Sequence, residues 1–180
     1  MSTVLKHWTY DDLLALPEDN LRHEIIDGEH FVSPAPIIKH QRVAGRIYGR
    51  LFMYLLQHPI GEVFMPPCDV VFALDNVSEP DVFYVSNERK SIIKEKNVQG
   101  APDLVVEVIS ETGRRRDEVQ KKAVYERFGV AEYWIADPKV DTIRIYRRGA
   151  YDKPVTLRVG DVLTSPLFPG LTLDVATLFR

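Results

Sequence analysis

Asp81 follows Pro80, and Glu107 sits inside Asp103-Leu104-Val105-Val106-Glu107-Val108-Ile109, a segment otherwise almost wholly aliphatic. In a strand, alternate residues share a face. Residues 103, 105, 107 and 109 therefore project to one side, and an acid stands where an aliphatic side chain would be cheaper to bury. An ionised carboxylate in that place requires a partner. Two strand carboxylates converging on one point form an oxygen-rich site of the kind that Mg²⁺ or Mn²⁺ takes. The same residues also admit a structural reading, in which Asp81 and Asp103 close strand ends and Glu107 pairs with a basic residue of the next helix. Pro-Asp steps mark ordinary turns as well, so the residues alone leave both readings open.

Other chemistries find less support. The histidines show no zinc-ligand spacing, and Cys68 has no second cysteine beside it. No glycine-rich phosphate loop is present, and Ser110 lacks the motif of a hydrolase nucleophile.

The elements that must position these acids can be read from periodicity. Thr9 with Asp12 three residues on predicts a short capped helix ending before Pro17. Asp27-Gly28 between β-formers, in Ile25 to Val32, predicts a tight hairpin. From Ile37 to about His58, Val43, Ile47, Leu51, Tyr54 and Leu55 recur at helical steps, with Lys39, Arg42, Arg46 and Arg50 on the other face. Three strands are expected at Val70 to Leu74, Asp81 to Val85 and Asp103 to Ile109, the first two joined by the turn-rich 75–80. A second helix is expected from about Arg116 to Phe128, stopped by Gly129, then a strand Glu132 to Asp137 ended by Pro138. The core order is helix, three strands, helix, strand. Outer strands at Thr142 to Arg147 and Val155 to Val159 and a closing element at Leu171 to Phe179 complete an α/β chain.

With 180 residues, 45% hydrophobic and 27% charged, the composition is that of one globular domain. The lone cysteine and the absence of a signal-like apolar leader point to the cytoplasm, and no apolar run approaches the ~20 residues needed to span a bilayer. A net charge of −3 gives no global attraction to polyanions. Any nucleic-acid contact must rest on a local basic patch.

Taken in order, Glu24-Ile25-Ile26-Asp27-Gly28, His40, Pro80-Asp81, Pro102-Asp103 through Ser110, Lys121-Lys122-Ala123-Val124-Tyr125 and Gly129-Val130-Ala131-Glu132-Tyr133-Trp134 resemble the Uma-type restriction endonuclease family, within the PD-(D/E)XK nuclease superfamily. The resemblance runs from about Tyr10 to Asp137. It implies a restriction-endonuclease-like core, a mixed sheet flanked by helices, with the hairpin before it and the outer strands after it. It also implies phosphodiester hydrolysis with Mg²⁺ or Mn²⁺. Asp81 matches the first acid, Glu107 the second and Lys121 the lysine. The superfamily's usual lysine position, two residues after the second acid, is Ile109 here. The Uma-type pattern places the lysine on the next helix, four residues before a tyrosine, which selects Lys121 ahead of Tyr125. Lys122 points roughly 100° away around a helix.

By analogy the Val108 carbonyl would complete the metal sphere. Glu24 and His40 are candidates for accessory roles, and Asp103 for a supporting one. Arg114, Arg115, Arg116 and Lys122 are candidates for phosphate contacts, because local cations can release counterions from DNA. The expected partner is DNA, and a homodimer would suit the cutting of two strands. The alternative reading is a non-catalytic nucleic-acid-binding or protein-interaction module that keeps the fold.

Overall fold

A computed structural model describes residues 6–180. The Thr9 N–H and hydroxyl both donate to Asp12 Oδ2 at 2.9 Å, starting helix α1 (Tyr10–Leu14). Strands β1 (Arg22–Ile26) and β2 (Glu29–Ser33) pair antiparallel across Asp27-Gly28. The two turn residues have φ of 50° and 76°, the positive values that a two-residue hairpin demands. Helix α2 (Ile38–Gln57) buries Val43, Ile47, Leu51 and Leu55, as the periodicity predicts. Burying one such side chain fully stabilises by ~1.5–3 kcal/mol, so this stripe anchors α2 without help from the polar residues at its start.

Then come β3 (Gly61–Phe64), β4 (Val70–Ala73), β5 (Asn76–Ser78), β6 (Val82–Ser86), β7 (Val98–Gln99) and β8 (Leu104–Val108). The following helix is π-wound over Arg116–Lys121 and continues as α3 (Lys122–Arg127), which Gly129 ends at φ 78°. Strands β9 (Glu132–Asp137), β10 (Thr142–Arg147), β11 (Val155–Arg158), β12 (Val162–Leu163) and β13 (Leu173–Asp174) lead to helix α4 (Val175–Phe179).

A six-stranded mixed sheet runs β11-β10-β9-β8-β6-β3, with β8 and β9 parallel and the other pairs antiparallel. A five-stranded sheet runs β2-β1-β5-β4-β7. This corrects two expectations. Residues 70–74 do not join the core sheet, whose outer place is taken by β3; and 75–80 is not merely a turn, because β5 pairs with both β1 and β4. Local pattern marks extended segments, but the choice of sheet depends on distant partners.

The six-stranded sheet has a core on each face. Leu104, Val106 and Val108 pack with α2 and α4; Val105 and Ile109 pack with α3 and residues of the five-stranded sheet. Strand alternation thus turns Glu107 toward the second face. Among the described residues no helix is long and apolar enough to cross a membrane.

Candidate active site

Strands β6 and β8 are antiparallel with Val82 opposite Val106, which brings Asp81, one residue earlier, level with Glu107. Both acids line a cavity of about 410 Å³, together with Lys121, His40, Arg22 and Asp117. Asp81 is 3% exposed, Glu107 2% and Lys121 2%.

Each acid is held by named donors. Arg22 Nη1 donates to Asp81 Oδ1 at 2.9 Å, and the Val108 N–H donates to Oδ2 at 2.8 Å. His40 Nε2, carried in by the first turn of α2, lies 3.0 Å from the same Oδ2. On the other side, Lys121 Nζ donates to Glu107 Oε1 at 2.9 Å and Tyr125 Oη to the same atom at 2.8 Å. Both of these bonds go to Oε1 and none is seen to Glu107 Oε2 among the described residues. Lys121 also lies 2.7 Å from Glu24 Oε1 and 3.7 Å from Asp117 Oδ1. Lys121 and Tyr125, four apart, reach one oxygen because both face inward from the helix.

These contacts set the protonation states. Burial opposes charge on Asp81, but the His40 hydrogen bond and charge, Arg22 and the Val108 N–H outweigh it and hold the carboxyl down to about 2. For Glu107 burial wins. It raises the acid to about 8, with Asp81, Asp117 and Glu24 adding to the rise and Lys121 opposing it. Burial likewise raises Asp117 to about 6 against the pull of Lys121. Burial acts against the Lys121 ammonium, yet Glu107, Glu24 and Asp117 overcome it and keep the group protonated.

The other sequence candidates fall in different places. Glu24 is fully buried; it binds Lys121 and accepts the Glu79 N–H at 3.1 Å. Asp103 sits at the far end of β8 and accepts the Ser86 N–H at 2.7 Å, with Arg89 at 3.9 Å, away from the cavity. Arg114 is engaged by Glu118 at 3.0 Å and Asp137 at 2.8 Å. Arg116 donates to Ser33 Oγ at 2.7 Å and lies 3.7 Å from Glu24. Lys122 lies over the Tyr146 ring at 5.5 Å. Arg115 is exposed and has no ion pair among the described residues. Sequence reasoning missed Arg22 and Asp117, and read Tyr125 only as a marker. Asp117 and Tyr125 were reachable, four residues to either side of Lys121 on one helix; nothing local signals Arg22, 59 residues from Asp81.

Among the described residues no group of three or more His, Cys, Asp or Glu is arranged to hold an ion. The chemistry of the donors nevertheless fits a divalent cation. Mg²⁺ commonly binds through one or two carboxylates and keeps several waters, and Glu107 has an oxygen that no donor occupies. A cation beside Asp81 and Glu107 would offset the charge of Asp81, Asp117 and Glu24, which adds to the rise that burial imposes on Glu107.

A model of the Uma2 family, described as "Putative restriction endonuclease", matches residues 10–176. Among solved structures, a putative nuclease belonging to DUF820 from Anabaena variabilis ATCC 29413 superposes with a TM-score of 0.81, at 21% identity, over 95% of this chain and 97% of that one. At that identity the likeness shows the fold, the mixed sheet flanked by helices. Comparison with curated proteins finds no match.

Proposed function

The chain belongs to the Uma2 family, described as putative restriction endonucleases, and from that premise we propose that it is a metal-dependent DNA endonuclease acting at the cavity floored by Asp81, Glu107 and Lys121. The observation that carries this reading is the meeting of two strand acids and a helix lysine, far apart in sequence, at one buried point. Asp81 and Glu107 would hold Mg²⁺ or Mn²⁺, with the Val108 carbonyl and water completing its ligands. Such an ion lowers the pKa of bound water and neutralises charge on a phosphoryl oxygen.

The chain's own residues do the rest. Arg22, His40 and the Val108 N–H fix Asp81 in its ionised form and orientation. Lys121, oriented by Glu24, Asp117 and Glu107, presents an ammonium where negative charge grows on the scissile phosphate, and acts without reorganising because its partners already hold it. Arg115 and Lys122 would contact flanking phosphates, and a homodimer would bring two such cavities to two strands.

One observation favours the non-catalytic module instead: Lys121 and Tyr125 both occupy Glu107 Oε1, closing a network that could serve stability alone. A nuclease assay in Mg²⁺ and Mn²⁺, with Asp81→Ala as control, decides between them. Cleavage lost in the variant supports the enzyme; no cleavage and no Mn²⁺ binding by the wild type supports the module.

A further inference from the structure

Ile37 and Ile38 are 72% and 69% exposed, the two most exposed large apolar side chains among the described residues. They are consecutive where α2 begins; Ile37 lines the cavity that holds Asp81, Glu107 and Lys121, and Ile38 follows it just outside the lining. Pro34, Ala35 and Pro36 continue that wall, and Ile109 and Pro138 also line the cavity. Lys39, one residue beyond Ile38, donates to the Pro138 carbonyl and lies 3.6 Å from Asp141, tying the start of α2 to the loop after β9. Ile37 therefore sits on a braced rim, with Ile38 exposed next to it in the chain.

With Pro34, Ala35 and Pro36 these isoleucines make a contiguous exposed apolar surface beside a charged cavity, the kind of patch that marks a binding site. The cavity itself restricts the partner. Its acids are nearly inaccessible, and a volume of about 410 Å³ belongs to the class that encloses one drug-sized ligand. One nucleotide falls within that class, whereas a continuous duplex does not. An apolar wall suits the face of a base, and Ile and Pro are residues that wedge between base steps and unstack them. Lys39 and Lys139 on the rim complement the flanking phosphates. The pair between Lys139 and Glu111, at 3.3 Å, is exposed and so readily exchanged.

We infer that Ile37 and Ile38 form a wedge that holds one nucleotide of the substrate strand out of the stack at the cavity mouth, so that the site takes nucleic acid with an unpaired nucleotide (a mismatch, gap or single strand) in preference to continuous duplex. The inference rests on the nuclease reading for the identity of the partner as nucleic acid.

The test uses full-length protein and oligonucleotides carrying 2-aminopurine, whose fluorescence rises when the base unstacks. Binding is read with Ca²⁺, which takes the same oxygen ligands in a looser geometry, and cleavage is read with Mg²⁺ or Mn²⁺. Ile37→Ser/Ile38→Ser is compared with Ile37→Leu/Ile38→Leu, folding being checked by circular dichroism. Wild type and the leucine variant should raise the fluorescence of a mismatched 2-aminopurine at saturating protein and cleave that strand faster than continuous duplex; the serine variant should lose both effects. Equal cleavage of mismatched and continuous duplex, or unstacking that survives in the serine variant, overturns the inference. So does a dimer that the serine variant splits while unstacking stays intact, since the pair would then be a contact between copies. Cleavage without unstacking overturns the wedge and leaves the nuclease reading standing. Unstacking without cleavage supports the wedge and removes the nuclease. Failure to bind any oligonucleotide overturns both.

Discussion

The ammonium of Lys121 stands 2.9 Å from Oε1 of Glu107, although one residue lies on a helix and the other on the central strand β8. Both side chains are enclosed, and a buried pair of this kind is weak as a source of stability. Its geometry is better explained by what it can do to a third group brought beside it.

Glu107→Gln should keep the fold and weaken Mn²⁺ binding. The amide preserves shape while removing the charge that attracts the ion. Loss of an outer hydrogen-bond partner typically lowers metal affinity ~10–100-fold, and loss of a direct ligand should cost at least as much. Calorimetric titration with Mn²⁺ checks this; unchanged affinity moves the ion elsewhere.

Lys121→Met should reduce turnover by ~10²–10³ while Lys122→Ala leaves turnover at saturating DNA nearly intact. Removing the cation strands Glu24, Glu107 and Asp117, and breaking a buried pair typically destabilises by ~3–5 kcal/mol. The double variant Lys121→Met/Glu24→Gln should recover part of that stability without recovering cleavage. Parallel denaturant melts and turnover measurements separate the two effects. Normal cleavage by Lys121→Met would remove Lys121 from the proposed catalytic set.

Stability of the metal-free chain should fall with rising pH between about 4.5 and 8. Glu107 is raised to about 8 and Asp117 to about 6, from ordinary values of 4.5 and 3.8. Across those intervals the folded chain keeps protons that the unfolded chain has released, so each step up in pH disfavours folding. Asp81 has the opposite sign: held at about 2, it contributes stability present above 3.8 and lost as pH falls through 2. Melting temperatures in EDTA across this range should show the decline, and Glu107→Gln should flatten it. A decline equally steep in that variant would mean that Glu107 is not its source. Mn²⁺ should restore most at the alkaline end.

Glu132→Ala should destabilise by ~1–3 kcal/mol, because it leaves the buried Trp134 and Ser165 donors unsatisfied while the half-exposed Arg147 stays solvated, and leave cleavage per folded molecule unchanged. Glu132 accepts from Arg147 at 2.7 Å, Trp134 at 2.9 Å and Ser165 at 2.7 Å, and does not line the cavity that holds Asp81 and Glu107. Chemical denaturation and active-site-normalised turnover test the separation. A turnover loss beyond the folded fraction would tie this network to the site.

Period and turn chemistry made α2, the β1–β2 hairpin and β8 legible, since each depends on residues near in sequence. The alternation that sets Glu107 apart from Val106 and Val108 was legible for the same reason. Strand β3 was not: four residues before Met65-Pro66-Pro67 become a strand only because β6 lies alongside. Nor was β5, whose Asn76-Val77-Ser78 reads as a turn until β1 and β4 flank it. In the site, Asp81, Glu107 and Lys121 could be picked out because a spaced motif carries them. Arg22 could not, because its use is decided by which strand end folds over Asp81.

The π-winding over Arg116–Lys121 gives the lysine its bearing. A π-turn bonds i to i+5 where an α-turn bonds i to i+4, so it carries one surplus residue, and exposed Val119 and half-buried Gln120 lie within it. Deleting one residue there would let the turn relax to α-winding and rotate its N-terminal side by about 100° against its C-terminal side. Arg116 and Asp117 would then lose step with Lys121 and Tyr125. Chain length in one surface turn thus acts as a vernier on the cavity. A relative one residue shorter at this point could keep every charged residue named above and still have them out of alignment, a loss that no tally of residue identities would reveal.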